Sequence, residues 1–470
     1  MLHLSAKLRL QSLMRCSFWT RWESGSPAVQ SGMIDFAQSK LLCNENLSII
    51  NDNAKIAVLA RRLLLQFEPS REAAVETEAT LVAGHMHVAY CVPTHREYLR
   101  SGASSEPILA EAAARIMASD AWKATDTATV LLQYLSSGLI TRGEHGELVG
   151  RLLLIQAFDT AAKKLSDLKP VEFNHGIPVK DFLKALFSAN FIDLVLDARP
   201  DNISGPSLGQ AFDNAVVYFT HWGKAQDSNV INDQGAWMAM CRGMAYQCYN
   251  YQRDIDLVVP VLLDRTRKLG RFVMTAIMIQ IKNHEKYQRE NIHAEKLGFF
   301  TPGSQNPRPY ITITMELGVK SNAASPQPPA TRSRPAPEMP SEVTLNAIQG
   351  RTNPPRAKRP KLDTIIHPRY SFLATGCTET VYNVIRNNQR GTYQGLLASH
   401  GLLDECPRSD NGHIQAVVQL KPYWSMKENY SWAKSSEAKS REVKLEDTWT
   451  KDTNEGVKTG PFPDSSQEDN

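Results

Sequence analysis

The stretch Ile255-Asp-Leu-Val-Val-Pro-Val-Leu-Leu263, followed by Phe272-Val-Met-Thr-Ala-Ile-Met-Ile-Gln-Ile281, decides the fold of this chain. Both runs are short and rich in Val, Ile and Leu, and the polar segment 264–270 separates them. This pattern is typical of two buried strands joined by a turn. A turn centred near residue 267 pairs positions whose numbers sum to about 534–538, which places Asp256 opposite residues 278–282.

The sequence around this hairpin predicts a mixed α/β (α+β) fold. From about Leu41 to Ala198 the apolar residues recur every three or four positions, which indicates helices, including one from Pro107 to Met117 and one beginning near Glu144. We also expect a helix from Gln234 to Tyr249. After the hairpin, Tyr310-Ile-Thr-Ile-Thr-Met315 alternates in the manner of a third strand. A helical half followed by a small sheet defines the class.

Composition excludes several kinds of protein. The 470 residues carry a formal net charge of +4, too small for a polybasic coat on nucleic acid, so any nucleic-acid contact must be local. No apolar run approaches the roughly 20 residues that cross a bilayer, so we expect no membrane partner. Seven cysteines without a C-x-x-C pair argue against a disulfide scaffold or a zinc ribbon and favour a reducing compartment.

The two predicted strands place three polar side chains close together at one end of the hairpin. Gln280 and Lys282 share one strand face because side chains alternate, and Asp256 lies opposite them. An acid, an amide oxygen and an ammonium group would then converge. Asp256 and Gln280 could hold Mg²⁺ while it keeps several of its waters, and Lys282 could orient an attacking water or neutralise charge on a phosphate. The sequence therefore predicts metal-assisted cleavage of phosphodiesters.

This arrangement resembles the PD-(D/E)XK, or restriction-endonuclease-like, superfamily: an Asp at the start of a strand, a hairpin, and an acid-x-Lys motif at the end of the next strand. The resemblance implies that Asp256 is the metal-binding acid, that Gln280 occupies the second acidic position, and that Lys282 is the motif lysine. Gln280 removes one negative charge from that pattern. A further acid would come from a neighbouring segment, and the candidates are Asp213, Asp233, Asp254 and Glu285.

More of the chain, roughly residues 70–410, resembles a group of fungal crinkler-type and transposon-associated proteins that carry such a nuclease domain. The segments that carry this resemblance are Ser105-Glu-Pro-Ile-Leu-Ala-Glu-Ala-Ala-Ala-Arg115, Gly138-Leu-Ile-Thr-Arg-Gly-Glu-His-Gly-Glu-Leu148, the strand that begins at Asp256, Ile279-Gln-Ile-Lys-Asn283 and Gly376-Cys-Thr-Glu-Thr-Val-Tyr382. Proteins of that type often add a P-loop ATPase. The chain has no G-x-x-x-x-G-K-[ST] motif, so we expect no nucleotide hydrolysis.

Basic residues near the motif lysine suit contact with a phosphate backbone. We expect Lys286, Arg289 and Lys296 to contact nucleic acid, and the resemblance implies that this nucleic acid is DNA. The turn residues Arg265, Arg267, Lys268 and Arg271 form another basic patch, equally compatible with a solvated turn. Further on, Pro355-Arg-Ala-Lys-Arg-Pro-Lys361 suits nuclear import through Arg356, Lys358, Arg359 and Lys361.

The domain organisation follows from these patterns. We expect the following units: a flexible leader, 1–40; a helical domain, 41–200; a restriction-endonuclease-like core, 201–320; a disordered Pro-rich basic linker, 321–366; a small folded segment, 367–424; and a disordered polar tail, 425–470. The N-terminal helices would bind a protein partner, and the protein would act in the nucleus or cytoplasm. Two functions remain open: a Mg²⁺-dependent endonuclease, and a catalytically inactive nuclease fold that serves as an interaction or effector module.

Overall fold

The structure is a computed structural model of the whole chain. It describes residues 21–318, 343–345 and 365–398, apart from residues 70, 93–98, 124, 142–144, 167–170, 250–251, 253, 284–291 and 302–305. The expected polar tail therefore lies outside the described residues, as do most of the expected linker and the end of the C-terminal segment. No helix within these described ranges combines the length and the apolar character needed to cross a bilayer.

The first half of the described chain is helical, as predicted. Its helices are α1 (Pro27–Leu42), α2 (Asp52–Leu63), α3 (Glu72–Gly84), α4 (Pro107–Ala118), α5 (Asp120–Lys123), α6 (Thr127–Ser136), α7 (His145–Leu165), α8 (Val179–Leu186) and α9 (Ala189–Asp197). A two-stranded ribbon interrupts them and consists of β1 (Val88–Cys91) and β2 (Arg100–Gly102). The predicted helices at Pro107 and near Glu144 correspond to α4 and α7.

The predicted leader 1–40 is corrected by α1, which begins at Pro27. The side chain of Ser26 accepts a hydrogen bond from the Val29 N–H, and a proline at the first position is already in helical conformation. Buried residues such as Ile34 and Leu41 fix one face of this helix in the core. Residues 27–40 of the predicted leader are thus part of a folded helix, and residues 1–20 lie outside the described residues.

The second half of the described chain builds the main sheet. Its elements are β3 (Ile177–Pro178), α10 (Leu208–Ala211), β4 (Val216–Val217), β5 (His221–Lys224), α11 (Asp233–Cys241), β6 (Met244–Gln247), β7 (Leu257–Leu262), β8 (Met274–Lys282), β9 (Tyr310–Glu316), β10 (Val343–Leu345), β11 (Arg369–Thr375) and α12 (Arg390–Leu397). Short 3-10 turns occupy Ser228–Val230, Arg271–Val273 and Asn387–Gln389.

The predicted helix from Gln234 to Tyr249 is wrong in its second half. Helix α11 ends at Cys241, and Gly243 adopts a φ of 58°, a left-handed conformation that ends helices and favours glycine. The chain then continues as β6. The apolar residues after Gly243 are too few for their spacing to distinguish a helix from a strand.

The predicted hairpin is present with the predicted register. Strands β7 and β8 pair antiparallel from Leu257 opposite Ile279 to Leu262 opposite Met274, so paired numbers sum to 536. Strand β9 pairs parallel with β8, and β11 pairs parallel with β9. The order in the sheet is β10-β11-β9-β8-β7-β4-β3, and β6 pairs with both β7 and β5. The hairpin therefore lies in the middle of a mixed sheet.

Helices and sheet share one hydrophobic core, which extends from Met33 to Leu397 among the described residues. The sheet incorporates β11 from the expected C-terminal segment, and β10 from the expected linker pairs with it antiparallel at the edge. The fold is mixed α/β, with helices at the N-terminus and a curled mixed sheet at its centre. The predicted boundaries at residues 200 and 320 stay predictions about folding units.

Candidate functional site at the open end of the hairpin

The open end of the β7–β8 hairpin holds the three predicted residues. Asp256 directly precedes β7, and continuing the register by one position places it opposite Gln280. The main-chain N–H of Asp256 donates to the carbonyl of Ile279 at 2.8 Å, and Asp256 Oδ2 accepts from the N–H of Ile281 at 2.6 Å. Two hydrogen bonds thus tie the acid to the neighbouring strand beside the motif residues.

Gln280 and Lys282 lie on one face of β8, and Ile281 lies on the other because strand side chains alternate. Gln280 is buried and Lys282 is half-buried. Ile281 packs against α7 so closely that a Cβ on Gly150 would collide with it. Helix α7 therefore covers the face opposite to Gln280 and Lys282.

Burial dominates the electrostatics of Asp256. It raises the pKa of this carboxyl above its usual value, while the hydrogen bond from Ile281 and the ammonium group of Lys282 act in the opposite direction. Lys282 is therefore close enough to act on the charge of Asp256. The pair is of the kind that concentrates at functional sites, where burial and a charged partner shift ionisation.

Glu316 joins this site and was missed in the sequence. The parallel register sets Gln280 beside Thr314 and Lys282 beside Glu316, and neighbours in register share a face of the sheet. Glu316 is fully buried. The signal was an acid directly after the alternating run of β9, but its meaning depends on a parallel pairing across the segment 283–309, which sequence periodicity does not predict.

A second acid, Glu147, approaches from α7. It accepts a hydrogen bond from the side-chain amide of Gln247, whose oxygen accepts one from Arg151. Asp256 and Glu147 both act on Cys248, whose pKa is raised well above its usual value by burial first and by these two charges second. Gln247 is the register partner of Leu257, so Glu147 lies on the α7 face of the sheet.

The donor set fits a loosely held divalent cation. Asp256 and Gln280 together offer a carboxylate and an amide oxygen, and Mg²⁺ is often bound through one or two carboxylates while keeping most of its waters. Within the described ranges, no three His, Cys, Asp or Glu side chains are grouped closely enough to hold a metal ion. A site here would therefore depend on Asp256 and Gln280, as the sequence predicts, with modest affinity.

Two of the additional acids proposed from the sequence lie elsewhere. Asp233 pairs with Arg308 at 2.8 Å, and Arg308 also donates to the carbonyl of Met274 at the beginning of β8. Asp213 lies on the surface and pairs with Lys180. Both acids are committed to other partners, away from the open end where Asp256 lies.

Of the three predicted nucleic-acid contacts, Lys296 alone lies within the described residues. Lys296 is exposed in a turn after β8. Lys286 and Arg289 lie outside the described residues, as do Glu285 and the nuclear-import residues Arg356, Lys358, Arg359 and Lys361. The turn residues Arg265, Arg267 and Lys268 are exposed at the end of the hairpin opposite to Asp256.

Fold and site together define a mixed α/β protein with an acid, an amide and an amine at the open end of a central hairpin. The chain matches the model of a family described as "Domain of unknown function (DUF8736)" over residues 48–296, about half of its length, and belongs to that family. The matched residues include Asp256, Gln280 and Lys282 and end before β9. Comparison with curated proteins finds no match, and comparison with solved structures finds none.

Proposed function

We propose that this protein is a Mg²⁺-dependent endonuclease of the PD-(D/E)XK kind that acts on DNA phosphodiesters. The observation that carries the proposal is the meeting of Asp256, Gln280 and Lys282 at the open end of the hairpin. The acid precedes the first strand and is hydrogen-bonded to the second, and the lysine ends the second strand. This arrangement agrees with the pattern on which the resemblance rests.

Each side chain has a role in this proposal. The carboxylate of Asp256 and the amide oxygen of Gln280 would hold the cation, which when bound polarises the phosphate and lowers the pKa of a water. Lys282 orients the nucleophile and neutralises charge that develops on the phosphate oxygens. Glu316, next to Lys282 in register, adds a buried carboxylate beside the motif lysine.

The wider surroundings complete the proposal. Lys296, with Lys286 and Arg289 from the segment after β8, would contact the DNA backbone. The N-terminal helices would bind a protein partner, and the basic residues 356–361 would direct the protein to the nucleus, with the cytoplasm as the other compartment. These contacts are electrostatic, so DNA binding should weaken as salt rises.

A second candidate is a nuclease fold that binds without cutting. The observation in its favour is the low charge of the site: Gln280 stands where the motif has an acid, and burial raises the pKa of Asp256. A neutral amide and a carboxyl that gains a proton more readily both weaken a cation site. In this case the same surface would serve as an interaction or effector module.

Nicking of supercoiled plasmid DNA in Mg²⁺ separates the two candidates. We expect the wild type to nick, and Lys282→Ala and Asp256→Asn to lose at least about 100-fold of that rate, as groups that act on the reacting phosphate do. Lys268→Ala, an exposed lysine in the hairpin turn, is the matched control and should nick at the wild-type rate. Equal inertness of all four proteins, with DNA binding retained, would favour the second candidate.

Gln280→Glu is the sharper variant. It restores the acid of the motif and adds a charged ligand for the cation, so the concentration of Mg²⁺ that gives half-maximal nicking should fall. A variant that nicks no better than wild type at any Mg²⁺ concentration would speak against Gln280 as a ligand. Calorimetric titration with Mg²⁺ alone gives the same comparison without turnover.

A further inference from the structure

The two-stranded ribbon of β1 and β2 has one open edge. At its other edge, Glu78 of α3 accepts hydrogen bonds from the main-chain N–H and the hydroxyl of Ser101 in β2, at 2.9 and 2.8 Å. Glu78 is buried, so β2 is the strand that lies against α3. Within the described ranges, no main-chain group outside β2 is hydrogen-bonded to residues 88–91. Strand β1 is therefore the free edge of the ribbon.

The hydrogen bonds of Ser101 also show which main-chain groups of β1 point outward. Its N–H donates to Glu78 and not to β1, so the register pair Ala89–Ser101 is one of the pairs without mutual hydrogen bonds. In such a pair the N–H and the carbonyl of each residue point away from the partner strand. Those of Ala89 therefore face the open edge, where a further strand could pair with them.

The side chains along this edge are apolar and exposed. Met86, Val88, Tyr90 and Val92 have 44%, 42%, 62% and 60% of their surface exposed. A Cβ added at Gly102, the register partner of Val88, would lie 2.8 Å from the ring of Tyr90, so Val88 and this ring share one face of the ribbon. Edge strands usually carry charges or prolines that prevent further pairing, and β1 contains neither.

A buried arginine fixes both ends of the ribbon. Arg61 of α2 donates to the carbonyl of Met86, before β1, at 2.8 Å and to the carbonyl of Ser104, after β2. Burial lowers the pKa of Arg61 to about 10, so the guanidinium group stays charged at neutral pH. The open edge is thus held in place before any partner arrives, which reduces the entropy lost on binding.

We propose that β1 binds an extended peptide of a partner protein as an added strand. Its main chain pairs with the outward groups of Ala89, and its apolar side chains, at alternate positions, pack beside Val88 and Tyr90. Arg100, the register partner of Cys91, is exposed and gives this end of the ribbon a positive charge. The peptide therefore carries a carboxylate that complements Arg100.

The length of β1 favours a peptide over a second copy of this chain. The strand has four residues, and the register skips Tyr90, a bulge that limits regular pairing to a short stretch. A strand about 13 Å long buries far less than the roughly 1,200 Å² of a stable interface between two folded proteins. The proposal gives the protein partner expected for the N-terminal region a defined surface, and it does not depend on the nuclease proposal.

Panning of a phage-displayed library of random peptides on the immobilised full chain tests the proposal. We expect the recovered peptides to alternate apolar and polar residues and to carry an acidic residue. A synthetic, fluorescently labelled peptide of the recovered consensus then gives the affinity by anisotropy. Its binding should slow hydrogen exchange of the Ala89 amide in the wild type. Recovery of no such peptide, or an unchanged exchange rate at Ala89, would overturn the proposal without recourse to any variant.

Ala89→Pro is the sharpest variant. Proline removes the outward N–H but no hydrogen bond to β2, and prolines whose missing N–H faces solvent are tolerated in edge strands. The affinity for the consensus peptide should fall at least about tenfold, because the added strand loses a hydrogen bond and meets the proline ring. Ala89→Val keeps the N–H, is the matched control and should bind like the wild type. Equal affinities of the two variants would contradict strand addition.

A charge exchange tests the carboxylate. Arg100→Glu should weaken binding of the consensus peptide and strengthen binding of a version with lysine in place of its acid, and no response to this exchange would contradict the role of Arg100. In sedimentation, the free wild type should be a monomer. A dimer that Ala89→Pro dissociates would overturn the peptide in favour of a second copy. Asp256→Asn should bind the peptide normally, so failure of the nuclease proposal leaves this one intact.

Discussion

The two ends of the β7–β8 hairpin both bury an acid beside a cation, yet the pairs differ. At the turn end, Asp233 accepts hydrogen bonds from Arg308 at 2.8 Å and from the Thr301 hydroxyl at 2.6 Å. At the open end, Asp256 accepts a main-chain hydrogen bond from Ile281. Burial raises the pKa of Asp256, and the positive charge of Lys282 acts in the opposite direction. The first acid is held by two side chains, those of Thr301 and Arg308.

The comparison distinguishes Asp233–Arg308, an ion pair that stabilises the fold, from Asp256–Lys282, a pair in the candidate functional site. A buried carboxylate with a guanidinium and hydroxyl partner has its charge compensated, and its removal leaves the partner uncompensated. A buried carboxyl whose pKa is raised retains a cost of ionisation that a bound cation would relieve. We therefore expect variants of the turn end to affect stability and variants of the open end to affect chemistry.

The largest expected effect tests the turn end. Asp233→Ala leaves the buried Arg308 guanidinium without its carboxylate, so the free energy of unfolding should fall by about 3–5 kcal/mol. Urea unfolding followed by circular dichroism measures this change. Asp213→Ala, which removes the exposed partner of Lys180, is the control and should lower the free energy of unfolding far less, because an exposed ion pair contributes little to stability. A loss of less than 1 kcal/mol in Asp233→Ala would contradict the structural role.

The next effect comes from the helix that supports the open end. In Gly150→Ala the new methyl group would meet Ile281 and approach Leu257 Cδ1 to 3.6 Å, and we expect a loss of about 1–3 kcal/mol from this overpacking. Gly32→Ala, also inside a helix but with open space around it, should instead gain about 0.5–1 kcal/mol. Thermal and urea unfolding of both variants measure the contrast. Equal effects of the two substitutions would argue against close packing of α7 on β8.

The pH dependence of stability should have opposite signs for Asp256 at the open end and for the exposed Asp213. Because burial raises the pKa of Asp256, the folded state holds this proton more tightly than the unfolded chain. Its contribution to stability is complete below the pKa that Asp256 has in the unfolded chain, and it is lost as pH rises through the pKa in the folded state. Each unit of difference between these two pKa values corresponds to about 1.4 kcal/mol of stability. Relative to Asp256→Asn, the wild type should therefore lose stability as pH rises from about 4, the usual value for an Asp.

Asp213 should show the opposite pH dependence of stability. The side chain of Lys180 lowers the pKa of this exposed carboxyl, so its stabilising effect should be lost as pH falls through the lowered value. Unfolding curves of Asp213→Asn over the same pH range provide the comparison. If Asp256→Asn and Asp213→Asn changed with the same sign, burial would not be the cause of the Asp256 shift.

The smallest expected effect concerns DNA contact. Lys296→Ala should weaken binding of labelled duplex DNA a few-fold and reduce the slope of affinity against salt by about 1, as loss of one phosphate contact does. Lys268→Ala at the turn end should leave both quantities unchanged. Fluorescence anisotropy at several salt concentrations measures them. Equal slopes for both variants would remove Lys296 from the DNA surface.

The register of the hairpin could be predicted because it depends on local information. Two apolar runs and one polar turn fix the pairing, and the observed sum of 536 lies inside the predicted interval. The face shared by Gln280 and Lys282 follows from alternation alone. The sequence alone therefore predicts that Asp256, Gln280 and Lys282 lie near one another, whereas their chemistry stays a prediction.

The features that the sequence did not predict depend on contacts between distant segments. Glu316 gains its place from parallel pairing, Glu147 from the packing of α7, and the Ser105–His221 contact from two segments more than a hundred residues apart. The helix predicted beyond Cys241 failed for a local reason, since Gly243 turns the chain there. Periodicity describes single elements, and neither it nor composition specifies which distant elements become neighbours.

The central position of β8 has a consequence for motion. Residues 277–279 have register partners in β7 on one side and in β9 on the other, so their amide protons should exchange with solvent deuterium only when the whole unit opens. Gln280 and Lys282 directly follow this doubly paired part of the strand and remain paired with β9. A ligand that docks there meets a preformed surface and must itself supply whatever adjustment the encounter requires.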